Sequence, residues 1–329
     1  MLAGKGLYIV VNANAKRGGR RLAVQVARAL PGASVRLTRS IGEVEGFLRT
    51  VQQPRCILSA GGDGSAVVLL NALDRVVPKG EPFPPVGALP LGTGNAWSHA
   101  LGARKLDWCI RALASTDGPV PTKRYGLFDC DGTLTFFAGC GWDAQILDDF
   151  RRQVEASPSS RVAKSVWGYL SAMAFRTAPK TMLYGRPHVI VENLGDDVYT
   201  ITDDQKLVRL PGMRRGSILY EGMASVAGAA TCPEFGYGFR AYPFAERMLG
   251  RMNVRVYDQP AGSAMLAIPK LWRGVHPIPG MRDWFVTEMR LTFSRPLPLQ
   301  IGGEAVGTRL TVDYAVSDRT VDALDWRML

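Results

Sequence analysis

The chain has 329 residues, of which 47% are hydrophobic, so it can bury a large core and is not a disordered chain; two domains are the natural expectation. Forty Lys and Arg against 29 Asp and Glu give a net charge of +11, which favours an acidic partner such as nucleotide phosphate, nucleic acid or an anionic bilayer. No segment approaches the roughly 20 apolar residues of a membrane span, and the N-terminus lacks a signal-peptide pattern. We therefore expect a cytoplasmic protein.

Metal and disulfide frameworks are not indicated. The five cysteines are an odd number without a C-x-x-C spacing, and the three histidines form no zinc pattern with them. We expect reduced, mostly buried thiols.

The first third of the chain alternates short apolar runs with amphipathic segments. Such alternation with short connections predicts an open, mostly parallel sheet with crossover helices. Strands are expected at 6–13, 33–40, 56–60 and 85–89, and helices at 21–30, 43–51, 65–77 and 95–102.

The pattern changes near Pro121, where extended segments begin to dominate. We expect a mainly antiparallel β-sandwich with one helical interruption at about 161–176. The predicted domains are 1–122, 123–312 and a C-terminal segment, 313–329, that returns to the first domain. Extended segments are expected within 186–193, 197–203, 216–226, 252–258, 283–294 and 307–316.

One carboxylate, Asp63, lies in the glycine-rich stretch "GGDGS" at 61–65, between a predicted strand and a predicted helix. Glycines let a backbone approach an anion, and a helix N-terminus attracts it, so Gly61, Gly62, Gly64 and Ser65 are suited to cradle a phosphate. The alternative is a tight turn in which Asp63 or Ser65 caps the helix.

A second loop of the same design follows the next strand, in "LPLGTGNAW" at 89–97. Two such loops at the carboxyl ends of neighbouring parallel strands would meet at one crevice. Gly92 and the side chains of Thr93 and Asn95 are candidates for phosphate or ribose contacts there. Asn12 ends the first strand, where its amide can contact a nucleotide or brace a loop. Neither loop is a Walker A motif or a complete dinucleotide fingerprint.

These residues resemble the diacylglycerol kinase catalytic domain family, which includes bacterial lipid kinases, sphingosine kinases and ceramide kinases. The resemblance rests on 61–65, on "PLGTGNAWSHALG" at 90–102 and on "VNANAKRGG" at 11–19. It continues in "FFAGCGWDAQIL" at 136–147, in 161–173 and in "LQIGGEAVG" at 299–307. The chain departs from the family pattern at 12–19, at 96–97 and at Gly302.

The resemblance implies a kinase that uses ATP and Mg²⁺ in a cleft between the two domains. It places Thr38 near adenine, Arg161 near the phosphates, Asp143 near the acceptor head group and Glu304 near the nucleotide and magnesium. Asp63 is suited to organise magnesium or to accept a proton, and the base is left undecided between Asp63 and Glu304.

The function expected is transfer of the γ-phosphoryl group to a hydroxyl of a membrane lipid, diacylglycerol by default or a ceramide or sphingoid lipid. We expect peripheral contact with an anionic membrane, with 269–285 as the candidate segment. We expect no nucleic-acid partner, and a homodimer is left open. The alternatives are an NAD kinase-like enzyme, disfavoured because that family's downstream elements are missing, and a non-catalytic nucleotide- or lipid-binding regulator.

Overall fold

The computed structural model describes residues 4–13, 19–92, 94–157, 160, 162, 166–177, 179, 183 and 185–329. The chain divides into two compact units. Unit 1 comprises Met1–Leu127, Gly236–Gly238 and Asp318–Leu329, and unit 2 comprises Phe128–Phe235 and Phe239–Ser317.

Unit 1 is built on a parallel sheet, as the alternating sequence pattern predicts. Its strands lie in the order β4, β3, β1, β2, and the end of a long C-terminal strand extends the sheet beside β4 through Ala323, which pairs with Val86. The strands are β1 (Leu7–Asn12), β2 (Ser34–Thr38), β3 (Cys56–Gly61) and β4 (Val86–Pro90). The helices are α1 (Gly19–Ala29), α2 (Ile41–Leu48), α3 (Asp63–Val76), α4 (Ala96–Ala100) and α5 (Leu106–Ser115).

The carboxyl ends of these strands lie side by side. Asn12 pairs with Thr38 across β1 and β2, and Gly61 pairs with Pro90 across β3 and β4. Val11 pairs with Ala60, which sets the ends of β1 and β3 level. The loops that leave all four strands therefore start from one edge of the sheet.

Two helices of unit 1 differ from the prediction. Helix α2 begins at Ile41 rather than at 43 because Ser40 and Glu43 form a capping box. The Ser40 hydroxyl accepts the Glu43 N–H at 3.3 Å, and the Glu43 carboxylate accepts the Arg39 N–H at 2.9 Å. Helix α5 lies in a stretch for which no element was predicted, and it buries Cys109, Ile110 and Leu113.

Unit 2 is antiparallel in its strand pairings, as predicted for the second part of the chain. The strands follow the order β10, β9, β14, β13, β12, β7, β15, β16, with β8 beside β15 and β11 beside β8. They are β5 (Thr122–Cys130), β6 (Thr133–Thr135), β7 (Phe137–Gly141), β8 (His188–Asn193), β9 (Tyr199–Ile201), β10 (Leu207–Arg209), β11 (Ile218–Met223), β12 (Val226–Ala230), β13 (Met252–Tyr257), β14 (Met281–Val286), β15 (Glu288–Ile301) and β16 (Glu304–Leu324). The chain passes between the units within β5 and within β16.

The prediction of one helix in this part of the chain was wrong. Unit 2 contains α6 (Trp142–Ala156), α7 (Val166–Ala172), which continues as a π-helical turn at Met173–Thr177, and α8 (Ala261–Trp272). In α6 the residues Trp142, Ile146, Phe150 and Val154 recur every four positions and are buried, a helical period that the sequence shows. In α8 an internal proline, Pro269, obscures the helical signal.

The hydrophobic interior follows these elements. In unit 1 the strand residues Ile9, Val11 and Leu58 and the α4 residue Trp97 are fully buried. The five cysteines are buried free thiols, as expected, and burial raises the pKa of the Cys56 thiol to about 12. Across the described ranges, no helix combines the length and apolar character that a bilayer crossing requires.

A buried arginine, Arg319, fastens the C-terminal strand to the rest of unit 1. Its side chain is 8% exposed and donates to the Asp74 carboxylate at 2.9 Å and to the Val77 carbonyl at 2.9 Å. It also lies over the ring of Phe83, 4.9 Å from the centroid. Burial opposes ionisation of Asp74, but hydrogen bonds from Lys79 and Arg319 outweigh it and lower the pKa of that carboxyl.

We expect Arg319→Met to lower the free energy of unfolding by about 3 kcal/mol, because it leaves a carboxylate and several carbonyls without their donor. Urea unfolding measures this change. Arg75→Met, which removes an exposed ion pair with Glu45, should cost at most about 1 kcal/mol. Because the pKa of Asp74 is depressed in the folded protein, the stabilisation by the Arg319–Asp74 ion pair is present above about pH 4 and is lost as the pH falls further. Equal losses of unfolding free energy in Arg319→Met and Arg75→Met would contradict the structural role of Arg319.

Candidate functional site in unit 1 and an apolar pocket in unit 2

The two glycine loops of unit 1 are in direct contact. The N–H of Gly92 donates to the carbonyl of Gly61 at 3.0 Å, and the N–H of Leu91 donates to the same oxygen at 3.2 Å. A Cβ at Gly92 would lie 2.3 Å from the Cα of Gly62. The absence of a side chain at Gly92 is therefore what lets the loops meet.

The first loop is also braced against the end of β1. The amide of Asn12 donates to the Ser65 hydroxyl at 3.0 Å, and a Cβ at Gly61 would lie 2.2 Å from that hydroxyl oxygen. Three residues predicted to bind nucleotide thus lie together. The N-cap of α3 is Gly62, and no side chain caps it, so the alternative in which Asp63 or Ser65 caps this helix was wrong.

Asp63 instead caps a different helix. One carboxylate oxygen accepts the N–H of Ala96 at 3.0 Å, and the other accepts the N–H of Trp97 at 3.0 Å. These amides begin α4, where the first N–H groups have no partner within the helix. The carboxylate therefore joins the first glycine loop to the helix that follows the second loop.

Asn95 shapes the second loop from within. Its backbone is left-handed, with a φ of 54°, a conformation that Asn tolerates better than most residues. Its amide donates to the Gly92 carbonyl at 2.9 Å, and its Oδ1 is buried without a hydrogen-bond partner among the described residues. Thr93, the other predicted side chain of this loop, lies outside the described residues.

Sequence reasoning missed a third segment at this site. Gly236, Tyr237 and Gly238 have φ values of 109°, 53° and 76° and belong to unit 1. The N–H of Tyr237 donates to the Gly94 carbonyl at 2.9 Å. The glycine spacing in "FGYG" at 235–238 marks a turn, but nothing local indicates which loop the turn contacts.

Thr38 lies at the same edge of the sheet, at the end of β2. It is buried, its carbonyl accepts the Ala13 N–H at 2.8 Å, and its hydroxyl lies 3.5 Å from the Val11 carbonyl. The side chain therefore braces the end of β1.

A pocket with a basic lining opens beside the second loop. This basic pocket has a volume of about 570 Å³, and its lining, which has no carboxylate from the described residues, includes Asn95, His99, Arg21, Arg104 and Lys105. Burial lowers the pKa of His99, so the ring is neutral at pH 7. The positive lining favours an anionic ligand.

The predicted residues of the second half of the chain belong to unit 2. Glu304 begins β16, directly after the turn at Gly302 and Gly303, and its side chain is 61% exposed with Arg151 at 3.8 Å. Asp143 is in the first turn of α6, and its side chain lies outside the described residues, as does Arg161.

Unit 2 also holds a pocket of a different kind. This apolar pocket has a cavity volume of about 120 Å³ and lies between α6, β13 and α8. Arg255 is the charged exception in the lining, and two hydrogen bonds of 2.8 Å tie it to Asp283. The lining residues are Trp142, Ile146, Val226, Phe235, Phe239, Ala241, Tyr242, Arg255, Tyr257, Ala264, Ile268, Leu271, Trp272 and Met281.

Metal donors at the site of unit 1 are limited. Among the described residues no three His, Cys, Asp or Glu side chains are grouped to hold a metal ion. Asp63 can offer one carboxylate whose oxygens each already accept a backbone N–H. That donor set fits Mg²⁺, which binds to one or two carboxylates together with substrate phosphates and water.

Asp63→Asn is expected to loosen the start of α4, because an amide can accept only one of the two N–H groups. We expect the free energy of unfolding to fall by about 1 kcal/mol and exchange of the Ala96 or Trp97 amide hydrogen to accelerate. Hydrogen exchange followed by mass spectrometry measures the second effect. Asp117→Asn, on an exposed loop, is the control, and unchanged exchange at both amides of Asp63→Asn would refute the cap.

Comparisons with known proteins agree with this architecture. A crystal structure of a diacylglycerol kinase from Bacillus anthracis has a TM-score of 0.58 at 13% identity, and the alignment covers 97% of this chain and 96% of that one. A second structure from that organism, described provisionally as a diacylglycerol kinase, has a TM-score of 0.62 at 14% identity over the full length of both chains. At these identities the likeness establishes the fold.

Sequence comparison adds a match to a known catalytic domain. The eye-specific diacylglycerol kinase of Drosophila melanogaster is 50% identical over 46 residues, which are 14% of this chain and 3% of that relative. Residues 6–118 match the sequence model of the diacylglycerol kinase catalytic domain, and this range contains both glycine loops. Over residues 6–118, therefore, this chain is similar in sequence to diacylglycerol kinase catalytic domains.

Proposed function

We propose that the protein is an ATP-dependent lipid kinase that transfers the γ-phosphoryl group to a hydroxyl of a membrane lipid. Diacylglycerol is the first candidate acceptor, followed by ceramide or another sphingoid lipid. The observation that carries the proposal is the apolar pocket of unit 2 in a chain whose residues 6–118 match the sequence model of a diacylglycerol kinase catalytic domain. A lipid acceptor and cytoplasmic ATP would place the reaction at the cytoplasmic face of a membrane.

The nucleotide side of the proposal rests on unit 1. The contacting loops at Gly61–Gly62 and Gly92 bring backbone close to the sheet edge without side chains in the way, which suits phosphate groups. The basic pocket adds Arg21, Arg104 and Lys105 beside the second loop. The buried Oδ1 of Asn95 is an acceptor for a ribose hydroxyl or an adenine amino group. Thr93 and Arg161 remain proposed phosphate ligands, and Thr38 a proposed adenine contact.

The acceptor side rests on unit 2. The lining of the apolar pocket is hydrophobic and aromatic apart from Arg255, as in many ligand sites. Its lining suits hydrocarbon far better than a nucleotide or a sugar, because a buried polar ligand would lose its hydrogen bonds to water without replacement. Asp143 immediately follows Trp142, which lines the pocket, and remains the proposed contact of the acceptor head group.

The reaction breaks the bond between the γ-phosphorus and the β,γ-bridging oxygen, forms a bond to the acceptor oxygen and moves the hydroxyl proton to a base, leaving ADP. Asp63 already uses both carboxylate oxygens as acceptors for backbone amides. The Glu304 side chain is exposed, and its ion pair among the described residues is a long one of 3.8 Å with Arg151. We therefore assign the base to Glu304 and give Asp63 the task of holding the two loops together.

Magnesium fits the same scheme. Asp63 would be its protein ligand, together with nucleotide phosphates, and the bound ion would spread the negative charge that develops on the transferred phosphoryl group. The carboxylate keeps its hydrogen bonds to α4 in this role, because each oxygen has a second lone pair.

Glu304→Gln should lower kcat by about 10²- to 10⁴-fold with ATP affinity and thermal stability unchanged, since it removes a base and no structural contact of note. Asp63→Asn should lower kcat, ATP affinity and stability together. Steady-state kinetics and calorimetric ATP titration separate the two patterns. Glu192→Gln, on β8, is the control, and near-wild-type turnover of Glu304→Gln would remove it as the base.

The substrate is identified by incubating the protein with labelled ATP, Mg²⁺ and a total lipid extract and determining which lipid carries the label. A labelled phosphomonoester of diacylglycerol, ceramide or a sphingoid base is the expected product. Label transferred to NAD instead, or ATP binding without lipid-dependent release of ADP, would refute the lipid-kinase proposal in favour of an NAD kinase or a regulator.

A further inference from the structure

The outer face of helix α8 combines an exposed leucine with unpaired cations. Leu266 is 85% exposed, and Lys270 and Arg273 follow one and two turns later on the same side of the helix. None of the described residues forms an ion pair with Lys270 or Arg273. Residues 259–282 contain no Asp or Glu, so the helix and the loop after it are purely basic.

The inner face of the same helix lines the apolar pocket. Ala264, Ile268 and Leu271 recur at helical spacing and contact the pocket together with Trp272. Helix α8 is thus apolar on the pocket side and carries an exposed leucine followed by two cations on the other. A helix that only covers a core presents polar or charged residues outward, so the exposed Leu266 points to a further contact.

Neighbouring residues extend the basic face. The N–H of Arg240 donates to the Trp272 carbonyl at 3.3 Å, which places an exposed arginine beside the end of α8. Val275, in the loop after α8, is 37% exposed. The α8 surface consists of Leu266, Lys270, Arg273, Val275 and Arg240.

We propose that the α8 surface docks on an anionic lipid bilayer and that the apolar pocket behind α8 is filled from that bilayer. Leu266 inserts below the phosphate groups, and the long side chains of Lys270 and Arg273 keep their charges at the head groups. Charge complementarity favours an anionic bilayer over a neutral one by about 1 kcal/mol for each cation at the surface. That the pocket ligand comes from the bilayer rests on the proposed function. The docking itself rests only on the exposed leucine and the cations of the α8 surface.

The bilayer is favoured over a protein partner because of what the helix covers. A partner protein would explain the exposed leucine, but it would not supply hydrocarbon to a pocket lined by apolar side chains. A second copy of the chain is disfavoured, because the α8 surface is uniformly positive and would repel itself in a symmetric contact.

Sedimentation with vesicles tests the docking. The wild type should bind to vesicles of phosphatidylcholine and phosphatidylglycerol and bind far less to phosphatidylcholine alone. Leu266→Glu should weaken binding roughly tenfold and Lys270→Glu/Arg273→Glu on the order of 30-fold. Leu310→Glu, at another exposed leucine of unit 2, and Arg36→Glu/Arg111→Glu, at exposed arginines of unit 1, should retain wild-type binding.

Kinase assays separate docking from chemistry. With a short-chain diacylglycerol dissolved as monomers, Leu266→Glu should turn over at the wild-type rate, while its rate on vesicle-borne diacylglycerol falls about as much as its binding. Wild-type binding of Leu266→Glu, or a loss of equal size in Leu310→Glu, would overturn the docking surface. So would a wild-type dimer that Leu266→Glu converts to a monomer without changing vesicle binding. If no lipid is phosphorylated but vesicle binding still depends on Leu266, the proposed function fails and the docking stands.

Discussion

The carboxylate of Asp63 connects two loops that lie about thirty residues apart in the chain. It projects from the first turn of α3 and accepts the leading amides of α4, so the second glycine loop is anchored at both ends, by β4 and by α4. The contact of Gly92 with Gly61 and Gly62 lies between these two anchors. The proposed phosphate grip, the position of Asn95 and the turn at 236–238 all build on that pair of loops.

This arrangement changes how the glycines are understood. A phosphate cradle needs glycine so that a ligand can approach the backbone. In this protein glycine is required first for one loop to approach the other, because a methyl group at Gly92 would lie 2.3 Å from the Cα of Gly62. Both reasons act at the same residues, so a substitution there would disturb the loop contact and the proposed site together.

The sequence indicated much of the fold but missed some of its helices. Alternating apolar and amphipathic segments predicted β1 to β4 and α1 to α4, since those periods are local and strong. Helix α6 was missed although its apolar residues recur every four positions, because it begins directly after the glycine-rich strand β7, with no turn or capping side chain to mark its start. Helix α8 contains Pro269 and is apolar on more than one side, so its period is weak.

By itself, the sequence determined the elements of unit 1 other than α5, the two glycine loops and the candidate role of Asp63 as a functional rather than merely turn-forming residue. Only the tertiary structure decided what Asp63 binds to, because a hydrogen bond to Ala96 and Trp97 joins residues that no local pattern relates. It likewise decided that Gly236–Gly238 belongs with the second loop and that α6 and α8 enclose an apolar pocket. Periodicity and turn chemistry act over a few residues, whereas these contacts depend on how distant strands are paired.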